Sequence, residues 1–299
     1  MAARARRLSR PRLSRRALLA GGVGGAGLLL AGCGGDEARE AEVPAAPRGT
    51  RRVTYGDDPS QVLDLRVPSG AAGREAAATV VLIHGGYWQP AYGLDQLDEV
   101  AELLTEGGYV TANLEYRRTG DGGGVPATLE DVAAAIDALA PLDVPDTLVA
   151  LGHSAGGHLA AWAASRSGDL PGGAPRLPLA GAISLSGVLD LTAAAGAPGS
   201  SSPVQAFVGG TPETVPAAYA VADPALLPPA CPVWAVHAVA DQVVPLSQSR
   251  SYVRSVTAAG AQAELVEVDG DHFTVVSPRA ASWQTVERLL GEAARAGVS

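Results

Sequence analysis

Several residue types are scarce in this sequence. Lysine is absent, so all 22 basic residues are arginines; with the heavy use of Ala and Gly this is a GC-rich composition and carries no functional meaning. Phenylalanine occurs only at Phe207 and Phe273. The walls of any pocket must therefore come mostly from aliphatic residues, with Tyr87, Trp88 and Tyr219 as aromatic contributors, which points to small or medium ligand groups. The 37 glycines and 22 prolines follow no collagen period. The apolar run 17–31, at 15 residues, is short of the roughly 20 needed to span a bilayer. What is abundant is apolar side chain, 47% of 299 residues, which excludes a disordered chain and supports one large core.

Charge is unevenly placed. Residues 1–32 hold seven arginines and no acid, so their removal takes the net charge from −9 to −16. A body that acidic repels phosphate, which argues against nucleic acid as a partner and for neutral or apolar substrates. Within the N-terminus, Ser14-Arg15-Arg16-Ala17-Leu18-Leu19 resembles a twin-arginine export signal, and Leu30-Ala31-Gly32-Cys33 resembles the lipobox of bacterial lipoproteins. The resemblance implies a signal peptide over 1–32, lipidation at Cys33, a flexible Pro-bearing tether over 33–50, and a protein anchored to the outer face of the bacterial cytoplasmic membrane, or else secreted or periplasmic. Cys231 is then the only free thiol, buried and inert before Pro232, and no intrachain disulfide can form.

From residue 51 onward strand-like and helix-like segments alternate. Strands are expected at 52–55, 62–67, 78–83, 109–115, 147–151, 179–185, 233–238 and 264–268, several of them continuous apolar runs such as Thr79-Val80-Val81-Leu82-Ile83. Strands covered on both faces read this way. Helices are expected at 94–106, 128–139, 156–165, 246–259 and 278–296. The alternation predicts an α/β domain over 51–299 with an eight-stranded, mostly parallel sheet, the first two strands forming an antiparallel hairpin at its edge. Residues 187–230, crowded with Ala, Gly, Pro and Ser, read as an insertion over the sheet, either a lid or a mobile loop.

Gly152-His153-Ser154-Ala155-Gly156 matches G-x-S-x-G between an apolar strand and a helix, the setting of a nucleophile elbow. Its glycines remove side chains that would collide in a tight turn, leaving Ser154 at the tip as a candidate nucleophile. Upstream, His84-Gly85-Gly86-Tyr87-Trp88 follows another apolar strand. There Gly85 sets the turn, and the N–H groups of Gly86 and Tyr87, with that of Ala155, form a candidate oxyanion hole. Five histidines compete for the role of base. His84 reads as structural within its loop, His153 and His158 point away from Ser154 and complete no zinc site, and His237 is a core histidine. His272, in a Gly-containing loop after the last strand, is the base. Asp241 orients it, ahead of Asp190 as rival acid, while Asp271 points elsewhere. Trp88 and Phe273 are candidate substrate contacts. No metal and no cofactor is required.

Together these strings resemble the α/β-hydrolase superfamily, in its kynurenine formamidase (arylformamidase)-like and feruloyl-esterase-like branches, over residues 50–297. The order Ser154, Asp241, His272 is that of the superfamily; His237-Ala238 departs from the His-Gly common before the acid. The resemblance implies an α/β-hydrolase fold and a serine hydrolase that cleaves carboxylic esters of small molecules through an acyl-enzyme. Its alternatives are an amide hydrolase of arylformamidase type and a non-catalytic ligand-binding lipoprotein.

Overall fold

The computed structural model describes residues 43–70, 73, 76–196 and 202–297, all within one unit spanning Glu40–Ser299. The signal segment 1–32, Cys33 and most of the tether lie outside the described residues, as do residues 197–201 of the insertion.

The eight expected strands are all present: β1 (Arg51–Thr54), β2 (Val62–Arg66), β3 (Thr79–Ile83), β4 (Val110–Leu114), β5 (Leu148–His153), β6 (Leu179–Leu185), β7 (Val233–Ala238) and β8 (Ala263–Val268). They form one sheet in the order β1-β2-β4-β3-β5-β6-β7-β8. β1 pairs antiparallel with β2, and β2 with β4; every other pairing is parallel. The carboxyl ends of β3, β5, β6, β7 and β8 therefore share one edge, where α/β sheets bind ligands.

The apolar runs split by the two-residue period of a strand. Val81, Ile83, Leu148 and Ala150 face one side, together with α2 (Ala127–Asp137), α3 (Ala155–Ala163) and α7 (Ser247–Ala258). Val80, Leu82, Val149 and Leu151 face the other, with α1 (Asp98–Glu106) and α8 (Trp283–Ala296). Burial on both faces explains why these strands show no polar alternation.

Two helix starts differ from expectation. Residues 94–97 form a 3-10 turn before α1, and α8 begins at Trp283, five residues later than the pattern suggested. The described part of 187–230 is helical rather than an irregular loop: α4 (Leu191–Ala194), α5 (Pro203–Val208) and α6 (Pro216–Ala222), followed by a 3-10 turn at Pro224–Leu226. Its anchor is Asp223, fully buried, whose carboxylate accepts the N–H groups of Leu191, Thr192 and Ala225 and the Thr192 hydroxyl at 2.7–3.1 Å. Burial raises its pKa against the lowering by those bonds. Tyr219 lies within this packing, its hydroxyl donating to the Gly210 carbonyl at 3.0 Å, so it belongs to the core and not to a pocket wall.

Candidate active site

Ser154 lies between the last residue of β5 and the first of α3, with φ 55° and ψ −117°, a backbone state that L-residues avoid. The close turn demands its glycines. A Cβ on Gly152 would strike the Gly156 carbonyl, and one on Gly156 the Ile83 carbonyl. The Ser154 N–H donates to Leu185 at 2.9 Å, stitching the elbow to β6.

The loop after β3 lies against this elbow. A Cβ on Gly85 would sit 2.8 Å from the His153 carbonyl oxygen and 3.1 Å from Ser154 Cβ. Gly85 is thus required by close approach; the turn is made instead by Gly86, Tyr87 and Trp88, at φ 100°, 55° and 56°. Tyr87 and Trp88 are held there in a backbone state that L-residues rarely adopt. Among the described residues no backbone carbonyl engages the N–H of Gly86, Tyr87 or Ala155.

His84 braces that loop. Its Nδ1–H donates to the Gly85 carbonyl at 2.8 Å, its Nε2 meets Glu115 Oε1 at 2.8 Å, and its ring stacks on Tyr116 at 4.4 Å. Glu115, fully buried, also pairs with Arg118 and accepts the N–H groups of Leu94 and Tyr116 at 3.0 Å. Burial alone would raise the Glu115 pKa, but His84 and Arg118 outweigh it and hold it low.

At the ends of β7 and β8, His272 Nδ1 lies 2.7 Å from Asp241 Oδ2. The other carboxylate oxygen accepts the N–H groups of Val243 and Val244 at 2.8 Å. The buried Ser186 hydroxyl, on a residue at φ 45°, completes the shell around Asp241. Burial opposes ionisation of Asp241, yet the hydrogen bonds from His272, Val244, Val243 and Ser186 lower its pKa on balance. Asp190 is engaged elsewhere: it caps α4 through Ala193 at 2.9 Å and accepts the Ser251 hydroxyl at 2.5 Å. Asp271 accepts from Phe273 and Thr274 in its own turn.

The remaining histidines sort by partner. His237 is buried between the Ser249 hydroxyl at 2.8 Å and the Val244 carbonyl at 3.0 Å, which supports the acid loop without the His-Gly dipeptide. His158 donates Nε2–H to Ala222 at 2.9 Å, tying α3 to α6. His153 does more than the sequence suggested. Its Nε2–H donates to the His272 main-chain oxygen at 2.8 Å, and the two rings are 4.7 Å apart. That contact spans 119 residues, a distance at which no local pattern announces a partner. Trp88 is 1% exposed and stacks on Phe207 at 4.4 Å. Phe273 is 69% exposed, edge-on to His272 at 5.3 Å. Cys231 is half-buried and free; burial pushes its thiol up to about 12.

The BD-FAE family model matches residues 63–255, from β2 into α7. The chain belongs to the BD-FAE family. BD-FAE proteins are feruloyl-esterase-like α/β-hydrolases, and this one is a hydrolytic enzyme of that class. His272 lies beyond the matched BD-FAE segment, so its position comes from the fold alone. No curated protein matches the chain. Among solved structures, a bifunctional GH43-CE protein of Bacteroides eggerthii superposes with a TM-score of 0.69 at 25% identity, over 82% of this chain and 38% of that one. The BD-FAE chain thus spans well under half of that bifunctional protein. Esterase 2 of the planctomycete Thermogutta terrifontis, with propionate bound, gives 0.65 at 24% identity over 82% and 93% of the two chains. An esterase B from Lactobacillus rhamnosis, inhibited by a tributyrin phosphonate, gives 0.68 at 21% over 85% and 88%. The likeness to these two esterases is one of fold.

Proposed function

We propose that the enzyme cleaves carboxylic esters of small molecules, with Ser154 as nucleophile, His272 as general base and acid, and Asp241 as the group that orients His272. The observation that carries this reading is the strained Ser154 at φ 55°, on the sheet edge that also bears the His272–Asp241 pair at 2.7 Å. Because Nδ1 of His272 faces Asp241, Nε2 is the nitrogen left to take the Ser154 proton. Ser154 Oγ attacks the ester carbonyl, and the N–H groups of Ala155, Gly86 and Tyr87 receive the oxyanion. His272 returns the proton to the leaving alcohol. Water, deprotonated by the same imidazole, then releases the acid from the acyl-enzyme. Asp241 stays ionised throughout, as its lowered pKa requires. The similar structures are described as esterases, which supports ester over amide as substrate, and the propionate and phosphonate bound in them are small groups.

The test is covalent labelling by a fluorophosphonate beside Ser154→Ala. The wild type is expected to take up one label and the variant none; label retained in the variant removes Ser154 from the chemistry.

We also propose that the enzyme is an exported lipoprotein, on the strength of Arg15-Arg16, the apolar run behind them and Leu30-Ala31-Gly32-Cys33. Two or more acyl chains at Cys33 would hold it stably at the membrane. Metabolic labelling with palmitate is expected to mark the wild type and to fail in Cys33→Ser.

A further inference from the structure

A pocket of about 390 Å³ opens between the oxyanion loop, the insertion and the acid loop. Tyr87 and Trp88 form one side, Val188, Ala194 and Val204 another, and Val244 a third. Its connection to the reacting centre is short. The Val188 N–H reaches the Ser154 carbonyl at 3.4 Å, and the Val244 N–H is bonded to Asp241. No acidic or basic side chain lines it.

Its polar side chains are Ser202, whose hydroxyl donates to the Ala194 carbonyl at 3.4 Å, Ser247 and Gln248. Gln248, at the second position of α7, is 6% exposed. Its Oε1 accepts the N–H of Asp190 at 2.9 Å. A backbone N–H can only donate, so this bond fixes which end of the amide is oxygen. Nε2, with two N–H donors, must then occupy the other end. Among the described residues it has no acceptor, yet it is not a sealed, orphaned atom either. For a side chain that buried, the one space it can open onto is the pocket it lines. A donor with no acceptor of its own, in a wall otherwise mostly aliphatic, discriminates between ligands. A group that offers it an oxygen gains a hydrogen bond, whereas an all-hydrocarbon group strips its water and leaves it unpaired.

We propose that Gln248 is a specificity-determining residue, and that the pocket takes an uncharged acyl group carrying one acceptor oxygen, as ether, hydroxyl or ketone, in an otherwise apolar chain. At roughly 30 Å³ per heavy atom, the volume suits an acyl group of about a dozen heavy atoms. The proposal rests on Ser154 as the nucleophile that receives this acyl group.

The experiment uses p-nitrophenyl esters in matched pairs. Both members have the same chain length, and one carries an ether oxygen in place of a methylene, moved one position deeper in each successive pair. At one depth the ether ester is expected to exceed its twin in kcat/KM by about tenfold. In Gln248→Leu that ratio is expected to fall to about one. Because both esters are read on the same variant, a general disturbance of α4 cancels; should Gln248→Leu not fold, Gln248→Met gives the same readout. Equal ratios in wild type and variant, or no depth at which the ether is preferred, overturn the proposal. Fluorophosphonate labelling of the same preparations keeps the two readings apart. Enzyme that labels at Ser154 but ignores the ether oxygen refutes the role of Gln248 alone, whereas label surviving Ser154→Ala refutes the nucleophile.

Discussion

His153 Nε2 lies 2.8 Å from the main-chain oxygen of His272, so the residue before Ser154 holds the loop that carries His272. Burial, with the neighbouring His272, pushes the His153 pKa down to about 4. The ring is therefore neutral at ordinary pH and its single N–H sits on Nε2, where the carbonyl needs it. Without that bond the His272 loop, whose tip is exposed at Phe273, has one tether fewer. His153→Leu is expected to lower kcat by 10- to 100-fold with a much smaller change in KM, because misplacing a base by about 1 Å costs on that order. Steady-state kinetics on a short-chain aryl ester measure the split, and an unchanged kcat would refute the tethering role.

The same depressed histidines set the acid stability. His153 and His158 are both held at about 4, against an ordinary value of 6.5, by burial. Above pH 6.5 both are neutral whether folded or unfolded, and they contribute no pH dependence. Between 6.5 and 4 the unfolded chain binds two protons that the folded chain refuses, so stability falls as the pH is lowered. The slope approaches two protons, about 2.7 kcal/mol per pH unit. His237, depressed by its own burial, acts in the same direction. Urea titrations from pH 7 to pH 4 measure the slope, and His158→Asn is expected to lessen it by about one proton. A flat profile over that window would show that these rings are not buried as neutral species.

The sheet was legible in the sequence because burial on both faces leaves each strand as an unbroken apolar run, as in Val80-Val81-Leu82-Ile83. The elbow was legible because Gly152 and Gly156 are demanded by backbone collisions that no other residue escapes. Helices α4 to α6 were not legible. Segments of 4, 6 and 7 residues are too short to display a helical repeat. What holds α4 is the buried carboxylate of Asp223, more than 30 residues away. His153 and Gln248 escaped notice for a related reason: each acts through a main-chain group far along the chain, which no spacing rule reports.

Glu115 offers a test of the proposed oxyanion loop that leaves Ser154 untouched. It holds His84 at 2.8 Å and pairs with Arg118, whose side chain is 2% exposed. Glu115→Ala leaves the buried guanidinium with Asp121 at 3.8 Å in place of a direct contact, and loss of one partner from a buried pair costs about 3–5 kcal/mol. The variant is expected to be poorly stable. Glu115→Gln, which keeps an oxygen for one partner, is expected to fold and to show a kcat lowered by roughly tenfold as the loop bearing the Gly86 and Tyr87 amides loses its brace. Chemical denaturation paired with kinetics separates the two losses; wild-type stability in Glu115→Ala would contradict the buried network.

Strain at Ser154 predicts a trade of activity for stability. Ser154 occupies φ 55°, ψ −117°, a region that glycine alone enters without penalty, and such residues cost on the order of 1–3 kcal/mol. Ser154→Gly removes that cost. It also gives the unfolded chain extra freedom, which returns about 0.4–1 kcal/mol. The Ser154 side chain makes no hydrogen bond among the described residues, so little else is lost. The net expectation is a variant more stable by about 1 kcal/mol, equivalent to a melting temperature higher by about 2–4 °C at this chain length. Turnover is expected to fall by at least 10³-fold, leaving only what the amide pocket provides. Ser154→Ala keeps a Cβ in the same forbidden region, so it is expected to lose the activity without the gain in stability. Calorimetry on the two variants decides the matter: equal melting temperatures for Gly and Ala at 154 would mean that the turn stores no strain.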